Sequence, residues 1–372
     1  MAKKMRFAGN LPGGFITAGA MQVGMLRALE DAGLLDRFVG WSGTSVGTFN
    51  AILGGVLRRP KELERFWLSL KPKQIFRRNS IFRLGGGQLA DIISAFLKSI
   101  GERKPSSKPY AQKLIAVIGR TQLHVNAFNE FVVADTIRKH FDLAQIGREL
   151  AVSPCELKIA VTNFTQARLE TYSSHTTPPE LFVQYALASA AIPAFYPVQK
   201  IGSDFYCDGA LLKPDPLALA YDFDADAIFN FRVTDQPRFT KDALSLPDIV
   251  AGIFDIETWY LMQRETLIAD EKTGDVVKSR QLRKKILASV RRYASDPGEA
   301  QALRNEIESL FREIKFSYRN DRPLMRFDIA PAWNPAIGIS IWGGYPRFTL
   351  IPELIERGYR ATVAKIERLR FV

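Results

Sequence analysis

Short apolar or alternating runs are separated by longer amphipathic stretches over the first two-thirds of the chain. The short runs predict β-strands, at residues 5–9, 38–41, 157–162, 168–173, 205–207 and 227–233. The longer stretches have apolar residues three or four positions apart and predict helices, at residues 20–32, 46–57, 130–140 and 179–189. This alternation favours an α/β fold, a three-layer α/β/α sandwich around a central, mostly parallel sheet.

The last third of the chain has a mostly helical pattern. It extends over residues 244–319 with a break at 295–298, and short runs at 326–329 and 337–342 then lead to a helix at 350–369. We therefore predict an inserted helical subdomain and not an independent module. The predicted organisation is a core at 1–235, with a basic cap region at 58–120 inside it, a helical insertion at 236–323, and C-terminal strands and a helix at 324–372 that return to the core.

The pentapeptide Gly43-Thr44-Ser45-Val46-Gly47 lies between a predicted strand and a predicted helix. A serine at such a tight turn is strained, and the glycines two positions before and after it provide the space that the turn needs. The turn presents the hydroxyl at a helix N-terminus, where N–H groups favour a developing negative charge. Because this string arises by chance in roughly one chain in ten of this length, it predicts a nucleophile elbow only together with further signals.

The three histidines argue against a conventional catalytic triad. They are His124, His140 and His175, and none follows residue 175. A triad in the order Ser, Asp, His would need both partners before residue 176, where no aspartate stands in a recognisable catalytic turn. His140 has the pattern of a solvated helix residue, and the other two are expected in loops or at strand ends. If Ser45 is a nucleophile, its base is predicted to be a carboxylate.

Asp208 is the best candidate for that carboxylate. It is followed by Gly209 and Ala210, and an Asp-Gly pair alone indicates no more than a hairpin turn. Its surroundings are more informative, because a Ser-Ala-Ala-Ile-Pro segment at 189–193 precedes it and Pro-Asp-Pro at 214–216 follows it.

At this point the chain resembles the patatin-like phospholipase family, whose members carry a Ser–Asp catalytic dyad. Blocks similar to those of the family occur in the same order between residues 5 and about 235. They are the glycines Gly13 and Gly14 with the segment 19–29, the pentapeptide 43–47, the segment 189–193, and Asp208-Gly209-Ala210 with Pro216. Four ordered blocks are much more specific than any single motif.

The resemblance implies a role for each matching residue. Ser45 would be the nucleophile and Asp208 the general base, with main-chain N–H groups near Gly13, Gly14 and Phe15 forming the oxyanion hole. A carboxylate is a weak base for a hydroxyl, so we expect desolvation, helped by residues 205 and 206, to raise the pKa of Asp208.

The implied function is that of a lipid acyl hydrolase of phospholipase A or lysophospholipase type. An esterase, thioesterase or acyltransferase with the same dyad is the alternative within catalysis, and an inactive membrane-binding protein is the alternative outside it. The resemblance implies no metal and no cofactor.

The chain departs from the family in two places. Aligned backwards from Gly19, the family's glycine loop falls on residues 14–19. Bulky residues then occupy two of the family's glycine positions, and Ala18 occupies the position of its basic residue. Aligned forwards from Gly13-Gly14, the loop is about two residues longer, and we prefer this alignment because the two glycines leave the backbone open. The family's Asn-Pro after the aspartate is replaced by Asp215-Pro216.

Composition favours a globular protein with a sizeable core. The 372 residues are 47% hydrophobic and 24% charged. Uncharged stretches at 7–26 and 181–199 contain prolines and polar residues, so neither is expected to span a membrane. A signal peptide at the N-terminus is the weaker interpretation, because its cleavage would remove the first strand and the glycine loop.

Cys155 and Cys207 fit free thiols in a reducing compartment, which predicts a cytoplasmic protein.

The net charge of +12 is concentrated in the first third of the chain. Residues 1–120 have 20 Lys/Arg against 7 Asp/Glu, and residues 121–372 have 31 against 32. Within the first third, residues 58–83 combine basic and aromatic side chains, which suggests peripheral docking on an anionic membrane surface. A solvated cap with ordinary core aromatics is the alternative. No nucleic-acid-binding motif accompanies the charge, so nucleic acid is not an expected partner.

Overall fold

The computed structural model describes residues 4–75, 132–192, 196–232, 246–294, 296–313, 324–331 and 348–369. Several of the features predicted from the sequence lie outside these ranges. They are most of the cap region at 58–120, His124, Pro193 and the run at 337–342.

The described strands form one mixed sheet. They are β1 (Phe7–Leu11), β2 (Phe38–Thr44), β3 (Glu156–Asn163), β4 (Arg168–Ser173), β5 (Gln199–Ile201), β6 (Asp204–Asp208), β7 (Ala227–Phe231) and β8 (Met325–Ile329). Their order is β5-β6-β3-β2-β1-β7-β8, with β4 also paired to β3. The central run β3-β2-β1-β7-β8 is parallel, while β4 and β6 join β3 in antiparallel fashion. The predicted α/β fold with a mostly parallel sheet is confirmed.

Helices connect and cover these strands. In chain order they are α1 (Phe15–Asp31), α2 (Val46–Asn50), α3 (Pro60–Ser69), α4 (Pro72–Ile75), α5 (Val132–His140), α6 (Leu143–Val152), α7 (Pro179–Ala188), α8 (Leu217–Ala220), α9 (Leu246–Tyr293), α10 (Pro297–Glu313) and α11 (Ile351–Leu369). A π-helical stretch, Ala51–Val56, continues α2. The strands at the sheet centre are buried along nearly their whole length because helices cover both faces of a parallel sheet.

Aromatic rings fill the core beside the central strands. Phe38 stacks on Trp41, with ring centroids 4.5 Å apart, and Phe7 contacts Phe229 edge to face at 5.0 Å. The rings are buried, and their packing fixes β1, β2 and β7 against one another.

Helices α1 and α11 pack in direct backbone contact. A Cβ atom at Gly24 would lie 1.8 Å from the Ile355 carbonyl oxygen, and one at Gly358 would lie 1.9 Å from the Met21 carbonyl oxygen. Only glycine allows this approach. The last described helix therefore packs against the first.

Candidate active site

Ser45 lies at a sharp turn between β2 and α2. Its backbone has φ 56° and ψ −130°, a strained conformation for a residue with a side chain. The flanking glycines are required by close backbone contacts. A Cβ atom at Gly43 would lie 2.8 Å from the Thr48 Cα atom, and one at Gly47 would lie 2.1 Å from the Leu11 carbonyl oxygen. The turn therefore has the geometry of a nucleophile elbow.

Asp208 ends β6 and faces this serine. The Ser45 hydroxyl donates a hydrogen bond of 2.7 Å to Asp208 Oδ2, although the two residues are 163 positions apart in the chain. The second carboxylate oxygen accepts the Ala210 N–H at 2.7 Å. Both side chains are buried, with exposures of 4% for Ser45 and 2% for Asp208. The two residues singled out from the sequence are thus in direct contact.

The register of β3 explains why they meet. Ala160 of β3 pairs with Thr44, which precedes the serine, and the next residue, Val161, pairs with Asp208. One strand therefore aligns the ends of β2 and β6 side by side. Gly209 is part of this junction, because a Cβ atom there would lie 2.1 Å from the Ala160 carbonyl oxygen.

The Ser189 side chain links the elbow to β3. Its hydroxyl donates to the Ala160 carbonyl oxygen at 2.8 Å and accepts the Ser45 N–H at 3.0 Å. It also lies 3.1 Å from the Thr48 hydroxyl oxygen. Ser189 is fully buried, so these contacts are shielded from water. The sequence marked this segment by resemblance alone, and nothing in the local pattern indicated what its hydroxyl contacts.

The same segment also holds the aspartate. The Asp208 N–H donates to the Ala191 carbonyl oxygen at 2.9 Å, and the Thr162 hydroxyl donates to the Asp208 carbonyl oxygen at 2.9 Å. Segment 189–191 therefore contacts the backbone of both members of the pair.

Burial raises the pKa of Asp208 to about 7, against the opposing effects of the hydrogen bonds from Ser45 and Ala210. The neighbouring Tyr196 is buried, and burial together with the negative charge of Asp208 raises its pKa. Phe205 is 42% exposed and does not cover the site. The expected desolvation of Asp208 is therefore present, although Phe205 does not provide it.

The glycine loop, residues 12–14, lies beside the serine. A Cβ atom at Gly13 would be 3.2 Å from Ser45 Cβ, and the Gly13 N–H donates to the Pro214 carbonyl oxygen at 2.8 Å. Gly14 has φ 145°, which favours glycine, and α1 begins at Phe15. Gly19 is inside α1 against the Trp67 ring. The structure thus agrees with the forward alignment, in which Gly13 and Gly14 form the loop.

A buried polar row anchors the segment that contacts this loop. Asn10 and Ser42 are paired across β1 and β2, and Ser42 Oγ donates to Asn10 Oδ1 at 2.6 Å. Asn10 Nδ2 donates to Asp215 Oδ1 at 2.6 Å and to Asn230 Oδ1 at 2.8 Å. Burial raises the pKa of Asp215 to about 6. Because Pro214 precedes Asp215, the row fixes the carbonyl that accepts the Gly13 N–H.

The described histidines take no part in this site. His140 Nδ1 pairs with the Thr136 carbonyl oxygen at 2.8 Å, and His175 Nε2 pairs with the Ser153 carbonyl oxygen at 2.9 Å. Within the described residues, no cluster of histidine, cysteine and acidic side chains could hold a metal ion.

In the described part of the basic cap region, two arginines form ion pairs with carboxylates. Arg58 pairs with Asp36 at 2.7 Å and Arg59 pairs with Glu149 at 2.8 Å. The aromatic side chains of Phe66 and Trp67 are buried in the core. Residues 58–75 thus resemble a solvated cap with core aromatics, and residues 76–83 lie outside the described ranges.

The fold and this pair define the class of protein: an α/β protein with a buried serine–carboxylate pair at a strained strand-to-helix turn. The chain belongs to the patatin-like phospholipase family, because the model of that family matches residues 11–221, more than half of the chain. This is a family of lipid acyl hydrolases.

Among solved structures, the chain is similar to VipD from Legionella pneumophila, with 14% sequence identity and a TM-score of 0.44 over 99% of this chain and 67% of that chain. No curated protein matches the sequence. None of the helices in the described ranges is long and apolar enough to cross a membrane.

Proposed function

We propose that the protein hydrolyses acyl esters of phospholipids or lysophospholipids through a Ser45–Asp208 dyad. The observation that carries the proposal is the 2.7 Å hydrogen bond from the Ser45 hydroxyl to a buried carboxylate. A serine without an activating partner is a weak nucleophile, and an adjacent base is what makes it reactive. Membership of a lipid-hydrolysing family supports the choice of an acyl ester as substrate.

The proposed reaction has two steps. Asp208 accepts the hydroxyl proton as Ser45 Oγ bonds to the ester carbonyl carbon, and the protonated Asp208 then returns the proton to the leaving alcohol as the ester C–O bond breaks. In the second step Asp208 takes a proton from water. The water oxygen bonds to the acyl carbon as it loses this proton, and the protonated Asp208 then returns the proton to Ser45 Oγ as the bond between Oγ and the acyl carbon breaks, which releases the fatty acid.

We assign the oxyanion to main-chain N–H groups of Gly13, Gly14 and Phe15, of which Gly13 lies beside Ser45. Gly13 now donates to Pro214, so its N–H has to leave that carbonyl before it can donate to an oxyanion. The Gly14 and Phe15 N–H groups are expected to act first. Nearness supports this assignment, because Gly13 approaches Ser45 Cβ closely enough that even a methyl group would be in tight contact.

The test is acyl release from mixed phospholipid vesicles and from a soluble p-nitrophenyl ester. Wild type is expected to act on both, and Ser45→Ala and Asp208→Ala are expected to lose at least about 10³-fold in kcat. Ser203→Ala is the matched control, because Ser203 is exposed on the turn that precedes Asp208 and contacts neither residue. A fluorophosphonate probe should label wild type and Ser203→Ala but not Ser45→Ala.

A protein that keeps this fold for binding alone is the second candidate, and the pairing of Gly13 with Pro214 favours it. Loss of one oxyanion donor costs about 10²–10³ in rate. If wild type releases no acyl group from either substrate and is not labelled by the probe, the hydrolase proposal fails and the binding candidate replaces it.

A further inference from the structure

The C-terminal half of α9 is strongly basic. Between Val276 and Ser295 the chain has no acidic residue, and its basic residues there are Lys278, Arg280, Arg283, Lys284, Lys285, Arg291 and Arg292. The sum over residues 121–372 hides this run, because acidic residues elsewhere cancel it. Such a run creates a local positive potential whatever the charge of the rest of the chain.

Helical geometry places part of this charge on one face. Positions four and three residues apart form one row along a helix, and the row here consists of Lys278, Leu282, Lys285, Ser289 and Arg292. All five side chains are exposed. Lys284 is also exposed, about 100° around the helix from Lys285. We call Lys278, Leu282, Lys284, Lys285 and Arg292 the basic stripe.

The opposite face of the helix is already occupied. Val276 and Val290 are buried, and Arg283, midway between them, forms an ion pair with Glu308 of α10. Seven residues separate each of these positions from the next, so they lie on one side of the helix. Lys278, Leu282, Lys285 and Arg292 are therefore on the side that α10 does not cover, and Lys284 lies between the two sides.

None of the four cations of the basic stripe forms an ion pair within the described residues. In this they differ from Arg58 and Arg59 of the cap region, each of which pairs with a carboxylate. Unneutralised cations on a rigid helix are available to an anionic surface.

The helix that carries the stripe is fixed to the core. Glu265 pairs with Lys213 at 2.8 Å, and Asp270 pairs with Arg326 at 2.6 Å. Ala269, between these two pairs, is fully buried. Lys213 follows Asp208 by five residues, and Lys278 is roughly 20 Å farther along the helix than Glu265. The helix that carries the stripe is therefore attached to the core by ion pairs, one of which reaches the segment that follows Asp208.

We propose that the basic stripe docks the protein on the surface of an anionic membrane. The cations supply the charge complementarity, since lysine and arginine close to an anionic bilayer are attracted to its surface potential. Leu282 favours a membrane over a nucleic acid, because it is 54% exposed between Lys278 and Lys285 and can enter the headgroup region. The idea that docking delivers a lipid substrate to the site rests on the proposed function. The docking itself is independent of that function.

The experiment compares vesicle binding by the full chain. Vesicles of phosphatidylcholine, with or without about one-third phosphatidylserine, are sedimented with wild type and with the stripe variant K278Q/K284Q/K285Q/R292Q. Glutamine is a good helix former, so the variant is expected to keep its helix, which circular dichroism checks. The matched control, K139Q/K200Q/R360Q/R368Q, removes the same net charge from exposed positions elsewhere.

Wild type is expected to bind only the anionic vesicles and to be released by about 0.5 M salt. The stripe variant should bind at least about tenfold more weakly, while the control variant changes less than about twofold. Leu282→Gln should weaken binding by a similar factor at each salt concentration below about 0.5 M, because its contribution is not electrostatic.

Two results would overturn the proposal. One is equal vesicle binding by wild type and the stripe variant. The other is binding of wild type to duplex DNA but not to anionic vesicles, which would assign the stripe to nucleic acid. Hydrolysis of the soluble ester separates this test from that of the proposed function. The rate of this hydrolysis should be the same in wild type and the stripe variant. If wild type does not hydrolyse the ester, the dyad is refuted and the docking result is unaffected.

Discussion

At the scale of single residues, the proposed chemistry depends on the buried hydrogen bond from Ser45 to Asp208. Both could be identified from the order of short motifs, since a strained serine needs nearby glycines and these are visible in the sequence. The contacts of Ser189 could not be identified, because they depend on which strand lies beside it, 29 residues away. The pairing of Gly13 with Pro214 likewise depends on tertiary structure.

The pH dependence of hydrolysis should report the buried carboxylate. Asp208 has to be ionised to accept a proton, and burial raises its pKa to about 7. We therefore expect kcat/KM for the soluble ester to rise with pH through about 7 and to level off above it. A profile already level at pH 5 would mean that an ordinary carboxylate, and not a desolvated one, is the base.

Stability should show the opposite dependence on pH. The folded pKa of Asp208 lies above its unfolded value of 3.8, so the folded protein binds more protons between these values. The contribution of Asp208 to the free energy of unfolding is present at low pH and is lost as pH rises towards 7. Asp208→Asn should remove this contribution, which urea unfolding of both proteins at pH 5 and pH 8 would detect.

Ser189→Ala tests whether the buried hydroxyl positions the elbow. The change leaves the Ser45 N–H and the Ala160 carbonyl oxygen without their partner, so we expect kcat to fall by about tenfold or more with KM little changed. Stability should fall by about 1–3 kcal/mol. Thr48→Val is the milder comparison, since it removes one contact of Ser189 and leaves the other two. A variant that loses stability but keeps the wild-type kcat would show that Ser189 has a structural role alone.

At the scale of elements, apolar periodicity predicted the interior of the fold better than its edges. The strands at the sheet centre and the helices around Ser45 were predicted within a few residues, because buried strands are rich in apolar residues. The edge strand β5 and the helices α3 and α6 were not predicted. β5 has only three residues, too few for a periodic pattern to be recognised, and α3 and α6 are short amphipathic helices of ten residues each. The break in the helical region was predicted from Pro297 and Gly298, and α10 begins at Pro297.

Two glycine-to-alanine changes separate close packing from helix propensity. At Gly24 in α1 a methyl group would collide with the backbone of α11, so Gly24→Ala is expected to cost at least about 1–3 kcal/mol. At Gly274 in α9 a methyl group would meet no atom within 4 Å, so Gly274→Ala should gain about 0.5–1 kcal/mol. Thermal unfolding measures both, and equal effects of the two changes would contradict the contact between α1 and α11.

At the scale of the whole molecule, the distribution of charge was the least predictable property. Counting charged residues along the chain assigned the excess of basic residues to residues 1–120. Two of the arginines described in that segment, however, are paired with carboxylates. The basic stripe lies in a part of the chain that is nearly neutral in sum. A sum over sequence cannot reveal which side of a helix faces solvent, whereas the position of α10 decides it here.

The register of β3 has a consequence for the way in which an active molecule arises. Ala160 and Val161 align two strand ends that are 163 residues apart in the chain, so the site is among the long-range contacts that form slowly during folding. A nascent chain shorter than 208 residues carries the serine without its base. With the proposed dyad, ester hydrolysis is therefore expected only after the core as far as Asp208 has been synthesised and its strands have paired.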